Sequence, residues 1–341
     1  MITKIKQAIL KEGFTDRAPK MEDVEATVEL LNTCSINMIG KPEYTVKEME
    51  NDWQTPGYNM ETDHRAVFSP EGQLIGYLQL WVVSDIPVQP YAWGHVHPGY
   101  EGQGIGSFLL DWGESRARQV FDKVPENARV SMVSNALDSY EPANNLLKGS
   151  GMNLHRHSFI MQINMEEKPP EPEWPEGITI KIYNPEEDAE AFYRADDEAF
   201  KDHFGYVEEQ FESGFERFMH YFTGDESYDP DLWVMAMDGD EIAGVYLGRK
   251  WSYEDKDVGW ISSLGVRRPW RRQGIGLALL QHSFRAFWER GQRKVGLGVD
   301  ALSLTGALGL YEKAGMYVHR QYNRYEKVLR EGDDLSTTSV E

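Results

Sequence analysis

The sequence predicts an α/β (α+β) protein with two similar halves, each a mixed, mostly antiparallel sheet flanked by helices. One short phrase occurs twice, as GYEGQGIGSFLLDW from Gly99 and as PWRRQGIGLALLQH from Pro269. The corresponding glycines, Gly104 and Gly274, lie 170 residues apart (274 − 104 = 170). In each half an apolar, strand-like run precedes the phrase and an amphipathic helical pattern follows it. We therefore expect two tandem domains of one fold.

Local patterns assign each element of the second half in turn. Pro185 suits the first turn of a helix, and Asp238-Gly239 favours the tight turn of a β-hairpin between two apolar runs. Gly315 suits the left-handed residue that ends a helix. The expected order is strand 178–183, helix 185–200, helix 207–222, the hairpin, strand 258–266, helix 277–290, strand 295–299, helix 304–313 and strand 317–327.

The first half follows the same order. Its expected elements are strands at 66–68 and 74–81, a strand ending at Val96, a helix over 105–122, a strand at 129–133, a helix at 142–147 and a strand at 155–163. We place the domains at 1–166 and 178–330, joined by a linker at 167–177 in which four prolines enforce extended backbone. The polar segment 331–341 is expected to be a disordered tail.

The composition narrows the class of protein. Of 341 residues, 40% are hydrophobic and 12% aromatic, which is enough for two domains with cores. The one cysteine, Cys34, cannot form a disulfide within the chain. A formal charge of −21 disfavours nucleic acid and anionic membranes as partners, and no run of 18 apolar residues occurs. We expect a cytoplasmic protein that is a monomer or a homodimer.

Two motifs in this order resemble the GNAT superfamily of N-acetyltransferases. The turn pattern of that family, Arg/Gln-x-x-Gly-x-Gly/Ala, is matched by Arg271, Gly274 and Gly276. The later family phrase is matched by YEKAGM from Tyr311, with Met316 in place of an aromatic residue. The resemblance covers both halves. Tandem domains with the phrase AFKDHFG are similar to the mycothiol synthase-type branch.

The resemblance implies acetyl-CoA as co-substrate, with its pyrophosphate on the turn before the helix. Glycines let the backbone approach phosphate, a helix N-terminus favours anions, and arginine suits phosphate oxygens. Pantetheine would bond to the end of the preceding strand, and a main-chain N–H near Leu264 would polarise the thioester carbonyl. No metal site is expected. The expected cofactor-binding residues are Leu264, Gly265, Val266, Arg271, Arg272, Gln273, Gly274, Ile275, Gly276 and Leu277.

Catalysis of transfer to an amine involves two proton transfers. Tyr311 stands where the family commonly has a general acid for the departing thiolate. An alkylamine with a pKa near ~10.4 is about 99.9% protonated at neutral pH, so a general base is also needed. Many relatives carry a glutamate where this chain has Trp260. Glu254, Asp255 and Asp257 in the preceding loop, one of them acting through water, and His203 are the candidates for the base.

The first copy departs from the pattern at two positions. Glu101 stands in place of Arg271, and Leu147 stands in place of Tyr311 when Gly151 is aligned with Gly315. We therefore expect a catalytically silent first domain that is a scaffold or retains weak CoA binding. The residues that would retain it are Val96, Gln103, Gly104, Ile105 and Gly106.

The predicted function is that of an acyl-CoA-dependent N-acyltransferase, EC 2.3.1.-, with catalysis in the second domain. Acetyl would pass directly to a primary amine of a small molecule in a ternary complex. Cys34 lies outside the predicted site, so no cysteine intermediate is expected. Two alternatives remain open. One is a non-catalytic acyl-CoA-binding or regulatory protein, and the other is an acyltransferase acting on a protein N-terminus or lysine.

Overall fold

The computed structural model describes residues 8–224 and 226–339, and these form two compact units. Within the described ranges, unit 1 consists of residues 8–156 and Tyr322–Leu335, and unit 2 of residues 157–224, 226–321 and 336–339. The first seven residues of the predicted first domain and the last two of the predicted tail lie outside the described residues. No helix within the described ranges is long and apolar enough to cross a membrane.

The elements alternate between strands and helices in both halves of the chain. The first half contains β1 (Thr15–Arg17), α1 (Val24–Ile39), α2 (Val46–Trp53), α3 (Met60–Asp63), β2 (His64–Phe68), β3 (Leu74–Trp81), β4 (Tyr91–Val96), α4 (Ile105–Ala117), β5 (Val130–Leu137), α5 (Glu141–Gly149) and β6 (Asn153–Asn164). The second half contains β7 (Ile178–Ile182), α6 (Ala189–Phe200), α7 (Phe211–Thr223), β8 (Trp233–Asp238), β9 (Glu241–Arg249), β10 (Val258–Val266), α8 (Ile275–Glu289), β11 (Lys294–Asp300), α9 (Ala307–Lys313) and β12 (Tyr317–Arg330).

The sequence prediction omits β1 and the helices α1 to α3. A local signal for α2 is present, because Thr45 and Glu48 form a capping box. The Thr45 hydroxyl accepts from the Glu48 N–H, and the Glu48 carboxylate accepts from the Thr45 N–H at 2.9 Å. For α1, the left-handed Gly40 (φ 81°) marks the C-terminus.

Unit 1 is a six-stranded sheet in the order β1-β2-β3-β4-β5-β12, in which only β4 and β5 run parallel. Helices cover both faces of this sheet. Neighbouring residues of a strand point to opposite faces, so adjacent residues of β3 contact different helices. Tyr77 of β3 packs in the core under α1 and α2. Gly76 faces α4, where an added Cβ would lie 2.7 Å from Ile105 Cγ2.

Unit 2 repeats this architecture in the order β6-β11-β10-β9-β8-β7, in which only β10 and β11 run parallel. α8 packs on one face through Ile275 and Leu279, and α6 packs on the other through Phe192 and Ala195. The predicted fold class is confirmed. Each unit is a mixed, mostly antiparallel sheet flanked by helices.

Each unit takes its sixth strand from the other half of the sequence. β12 pairs with β5 in unit 1, from Tyr322 opposite Leu137 to Arg330 opposite Val130. β6 pairs with β11 in unit 2, from Ser158 opposite Asp300 onward. The units therefore divide inside β6 and β12. The sequence domains 1–166 and 178–330 and the linker at 167–177 stay a prediction.

The linker segment lies on α8 within unit 2. Arg285 of α8 donates to the Pro169 carbonyl at 2.7 Å and pairs with Glu171. The Trp174 ring lies 6.2 Å from the ring of His282, also on α8. The linker is thus held by hydrogen bonds and ring contacts along one helix.

The tail expected to be disordered is instead held by backbone hydrogen bonds as far as it is described. In unit 1 the Asp333 N–H donates to the Asn127 carbonyl at 2.7 Å. In unit 2 the Thr337 N–H donates to the Tyr206 carbonyl at 2.9 Å, and the Thr337 carbonyl accepts from Gly205. Polar composition suggests disorder, but it does not exclude main-chain pairing of this kind.

Candidate active site

The parallel pair β10 and β11 separates halfway along unit 2. Val258 to Ile261 pair with Lys294 to Leu297, and from Ser262 onward no described strand pairs with that edge of β10. A β-bulge at the same point, between Ile261 and Ser263, shifts the pairing of β10 with β9. An unpaired strand edge presents N–H and C=O groups to which an extended ligand can bond as a further strand.

A cavity of about 510 Å³ opens at this separation, within unit 2. It is bounded by the ends of β10, β11 and α6, by the first turn of α8, and by α9 with the loop before it. Its lining residues are Ala199, Phe200, His203, Phe204, residues 261–266, Arg271, Arg272, Gly274, Gly276, Leu277, residues 297–300, residues 303–307, Leu310, Tyr311 and Lys313.

The glycine turn, residues 271–276, leads into α8 at the mouth of this cavity. Gly274 is the N-cap of α8 with a φ of 96°, a left-handed conformation that favours glycine. A Cβ there would meet nothing within 4 Å, so the space over the turn is open. Along the described chain, no acceptor faces the amides from Gly274 to Leu277. Four such N–H groups at a helix N-terminus suit an anion.

Eight of the ten predicted cofactor residues line the cavity. They are Leu264, Gly265, Val266, Arg271, Arg272, Gly274, Gly276 and Leu277. The side chains of the other two point elsewhere. Ile275 is 1% exposed in the core of unit 2, and the Gln273 side chain donates to the Pro269 carbonyl at 3.1 Å. Only the main chain of Gln273 and Ile275 belongs to the turn surface.

Gly265 sets how closely α6 approaches β10. A Cβ at Gly265 would lie 2.7 Å from the Cβ of Ala199 at the end of α6. Real Cβ atoms do not approach so closely, so only glycine permits this contact. The role of Gly265 is therefore to bring α6 against the cavity wall.

The guanidinium of Arg271 is directed into the protein. It donates to the Val266 carbonyl at 2.9 Å, to the Ala199 carbonyl at 3.1 Å, and to the carboxylate of Asp202. Asp202 is 2% exposed and also pairs with Arg268, and these two arginines hold its pKa well below the usual range. Arg271 thus ties the end of α6 to the end of β10, rather than presenting its whole fork to phosphate as the sequence suggests.

Arg272 is the more accessible of the two predicted arginines. It is exposed, lines the cavity, and forms no ion pair within the described part of the chain. Its φ of 62° is left-handed, which costs about 1 kcal/mol in a residue with a Cβ. The matching residue of the first half is Gly102, with a φ of 71°. A glycine at position 272 would relieve this backbone strain, so the strained arginine beside a cavity indicates a functional role for its side chain.

Tyr311 is 7% exposed and lines the cavity from α9. Burial raises the pKa of Tyr311 to about 12. Its hydroxyl has no hydrogen-bond partner among residues 8–224 and 226–339. The phenol is therefore protonated at neutral pH and able to donate to a ligand.

None of the acidic candidates Glu254, Asp255 and Asp257 lines the cavity. Glu254 is paired with Arg320, and Asp257 is exposed in the loop before β10, where its N–H donates to Asp255 at 3.0 Å. His203 does line the cavity. Burial, and secondarily the charge of Arg271, lower its pKa.

A carboxyl group that sequence analysis missed lies behind the cavity wall. Asp196 of α6 accepts a hydrogen bond from the hydroxyl of Ser263, which lines the cavity from β10. Burial raises the pKa of Asp196 to about 7. Acidic residues on a helix are usually solvated, so the sequence ADDEAF gives no signal that one of them is perturbed.

The equivalent region of unit 1 keeps the turn but differs around it. Gly104 is left-handed (φ 87°) at the start of α4, and Ile105 is buried. Leu147 holds the place of Tyr311, because its carbonyl accepts from Met152 at 3.1 Å just as Tyr311 accepts from Met316 at 3.0 Å.

Two hydrogen bonds within unit 1 involve the places that Arg271 occupies in unit 2. Tyr140, in the loop before α5, donates to the carboxylate of Glu101. The thiol of Cys34 donates to the carbonyl of Val96 at 3.3 Å, where unit 2 uses Arg271 on Val266. Gly106 faces Leu146, whose Cδ2 would lie 2.6 Å from an added Cβ.

The acetyltransferase (GNAT) family model matches residues 24–133 and 178–316. Together with the repeated strand, glycine turn and helix, this match shows that the chain belongs to the GNAT acetyltransferase family. The protein is an acyl-CoA-dependent acetyltransferase, a class that uses acetyl-CoA as co-substrate. The described residues contain no group of three or more His, Cys, Asp or Glu that could hold a metal ion.

Relatives narrow this class to the tandem GNAT proteins. Mycothiol acetyltransferase of Streptomyces scabiei is 29% identical over 252 residues, which cover 72% of this chain and 74% of the relative. A GCN5-related N-acetyltransferase of Sphaerobacter thermophilus superposes with a TM-score of 0.78 at 36% identity, covering 97% of this chain and 100% of that one. A tandem GNAT protein of clavulanic acid biosynthesis (TM-score 0.69, 14% identity, 94% and 100% covered) shares the fold.

Proposed function

We propose that this acetyltransferase passes acetyl from acetyl-CoA to a primary amine of a small molecule, by direct attack in a ternary complex within unit 2. One observation carries the proposal. A single cavity joins the unpaired edge of β10, the open amides of the glycine turn and the hydroxyl of Tyr311. The curated relatives are mycothiol acetyltransferases, which supports a small-molecule acceptor.

The glycine turn would hold the pyrophosphate of acetyl-CoA. Open amides from Gly274 to Leu277 provide the donors, and the α8 dipole favours the negative charge. Arg272 would contribute the accessible positive charge. Arg271 and Asp202 would act indirectly, because their contacts keep α6 and β10 in place beside the turn.

The unpaired edge of β10 would hold the pantetheine arm. Ser263 lies three residues before Val266, roughly 10 Å along an extended strand. Pyrophosphate at the turn therefore directs the thioester toward residues 262–264. The β-bulge there releases main-chain groups from the ladder, and an N–H near Leu264 would polarise the thioester carbonyl.

Transfer forms a C–N bond and breaks the C–S bond of the thioester. The departing thiolate gains stability from a hydrogen-bond donor, and the protonated phenol of Tyr311 supplies one. No acyl-enzyme is needed. Burial, and secondarily the charge of Glu101, raise the pKa of the thiol of Cys34 to about 12, which leaves almost no thiolate at neutral pH.

Unit 1 is proposed to be catalytically silent. Leu147 offers no proton, and Glu101 places a carboxylate where unit 2 has Arg271. The hydrogen bond from Tyr140 to Glu101 links the loop before α5 to the turn before α4. Charge and contacts both disfavour a pyrophosphate at this turn.

A calorimetric titration with acetyl-CoA tests the proposal on the full chain. We compare wild type with Gly274→Glu and with its matched control Gly104→Glu, which places the same side chain on an equally left-handed N-cap in unit 1. The expected result is one binding event, lost in Gly274→Glu and kept in Gly104→Glu. Loss in the control alone, or no binding by wild type, would contradict the proposal.

A screen of amines with the same protein then identifies the acceptor. Release of CoA thiol is followed with glucosamine, 2-aminoethanol and spermidine as probes, each with acetyl-CoA. We expect at least one amine to accelerate thiol release over the rate with acetyl-CoA alone, and Gly274→Glu to abolish that acceleration. Tight binding of acetyl-CoA without transfer to any amine would favour the non-catalytic acyl-CoA-binding protein.

A further inference from the structure

We propose that Ser263 and Asp196 form a proton relay that deprotonates the attacking amine. Ser263 is the catalytic residue that contacts the amine, and Asp196 is the residue behind it that receives the proton. This inference rests on the proposed function. It assigns a general base to a chain that has Trp260 where many relatives carry a glutamate.

Ser263 is at the reacting end of the cavity. It is 6% exposed, lines the cavity, and directly follows the β-bulge of β10. The cofactor path described above brings the thioester to residues 262–264. An amine attacking that carbonyl therefore comes within reach of the Ser263 hydroxyl, as a general base requires.

Asp196 is positioned to accept a proton from that hydroxyl. The Ser263 hydroxyl donates to one of its carboxylate oxygens. No cation pairs with Asp196 in the described ranges. Its titratable neighbours on α6 are Asp197, which accepts from Tyr206 at 2.9 Å, and Tyr193.

The surroundings of Asp196 raise its pKa for identifiable reasons. Burial is the largest cause, and the like charge of Asp197 adds to it, while the Ser263 hydrogen bond opposes both. The charge of Arg217 on α7 opposes the rise in the pKa of Tyr193, and Arg217 is itself paired with Glu209 at 2.6 Å. A base whose pKa lies near neutral pH accepts a proton readily and is still about half ionised at pH 7.

The other candidates for the base are less well placed. Glu254 is paired with Arg320 away from the cavity, and Asp257 is exposed to solvent. His203 lines the cavity but lies close enough to Arg271 and Asp202 for their charges to act on it, at the end where the turn begins. That end would hold the pyrophosphate, and the reaction would occur about 10 Å further along β10.

The proton step balances as follows. The ammonium form of the amine first loses one proton to solvent, because only the neutral nitrogen can attack. As that nitrogen bonds to the thioester carbon, a second proton moves to Ser263 Oγ, and the hydroxyl proton of Ser263 moves to the Asp196 carboxylate. The C–S bond then breaks and the thiolate accepts a hydrogen bond from Tyr311. Solvent afterwards takes the proton from Asp196, so no further reactant is consumed.

Three variants test the relay, with the amine that gives the fastest thiol release in the screen. Ser263→Ala is expected to lower kcat about 100-fold with little change in the KM for acetyl-CoA, since a general base contributes 10²–10⁴. Ser263→Thr keeps the hydroxyl and should restore most of the rate. Asp196→Asn should also lower kcat, and the double variant Asp196→Asn/Ser263→Ala should be no slower than either single variant.

The pH profile separates a proton acceptor from a structural role. Wild type should show kcat/KM rising with pH through about 7, the pKa of Asp196. Asp196→Asn should lose this rise, and the control Asp197→Asn should keep it. A Ser263→Ala variant at wild-type rate, or a rise that persists in Asp196→Asn, would overturn the relay while the proposed function stands. Wild type without transfer to any amine would instead overturn the proposed function.

A measurement without substrate tests the same carboxyl group. The urea midpoint of Asp196→Asn should exceed that of wild type by more at pH 8 than at pH 5, because only wild type must ionise a carboxyl group whose pKa is raised in the folded state. A midpoint difference that does not change with pH would overturn the role of Asp196 as a proton acceptor.

Discussion

Replacing Asp196 by Asn should stabilise the protein at alkaline pH while it removes activity. In the folded protein burial raises the pKa of Asp196 to about 7, from an ordinary value of 3.8. Each pKa unit corresponds to 1.36 kcal/mol, so the ionised native carboxylate costs about 4 kcal/mol above pH 7. Asn has the shape and the hydrogen-bond acceptor of the protonated acid but no charge to bury.

Proton linkage determines whether the stability of wild type rises or falls with pH. Between pH 3.8 and 7 the native state binds the proton and the unfolded state releases it, so wild-type stability falls as pH rises. The cost is absent below pH 3.8 and complete above pH 7. Between pH 5 and pH 8, the stability advantage of Asp196→Asn should therefore grow by about 3 kcal/mol.

Urea unfolding at pH 5, 6, 7 and 8 measures this advantage directly. Subtracting the unfolding free energy of wild type from that of the variant at each pH cancels the contribution of every other titrating group, because both proteins share those groups. With an m-value of about 3 kcal/mol/M, the expected growth is roughly 1 M in midpoint. Asp197→Asn is the control and should show a smaller pH dependence. An advantage that stays constant from pH 5 to pH 8 would refute the reasoning.

The remaining predictions concern the cavity and its support. Tyr311→Phe should lower kcat about 100-fold and leave the acetyl-CoA Kd within twofold by calorimetry, since the hydroxyl serves the departing thiolate. Arg272→Gly removes the side chain from a residue whose backbone is left-handed, with a φ of 62°. It should leave the urea midpoint unchanged or higher but weaken acetyl-CoA binding about 10-fold, with a reduced salt dependence. Asp202→Asn leaves Arg268 and Arg271 without their carboxylate partner. It should cost about 3 kcal/mol by urea unfolding at pH 7 and less at pH 3, because the depressed pKa of Asp202 contributes stability above about pH 4 that is lost as pH falls.

Distinct outcomes would contradict each of these. An unchanged rate would exclude Tyr311 as the thiolate's donor. Wild-type affinity in Arg272→Gly would mean that the strained arginine does not contact the cofactor. A cost for Asp202→Asn that is equal at pH 3 and pH 7 would show that this carboxylate contributes by shape and not by charge. Arg65→Gln, which removes a partly buried pairing with Asp16 in unit 1, is the matched control for a lost ion pair.

Local sequence was sufficient to predict the features that depend on backbone conformation. The glycine turns at Gly104 and Gly274 were expected between a strand and a helix, and each is found between these two elements. The β10 segment 258–266 was predicted with the bounds that the structure has. Such features depend on residues close in sequence, so the pattern of one segment determines them.

The rest depends on contacts between distant segments. Arg271 forms an ion pair with Asp202, 69 residues away, which turns into the protein a side chain that the motif alone assigns to phosphate. The perturbation of Asp196 arises from burial against β10, and no pattern within α6 encodes it. Strand partners are equally invisible, since β6 and β12 have ordinary strand patterns wherever they pair.

The exchange of β6 and β12 also has a consequence for synthesis of the chain. β5 ends at Leu137, but its partner β12 is complete only at Arg330, 193 residues later (330 − 137 = 193). At 5–20 residues per second, a ribosome needs about 10–40 s to make that interval. During this time the edge of β5 has no partner strand and can pair with another nascent chain. Cutting the chain at the linker would make that state permanent, so expression of either half alone should give aggregates rather than a folded domain.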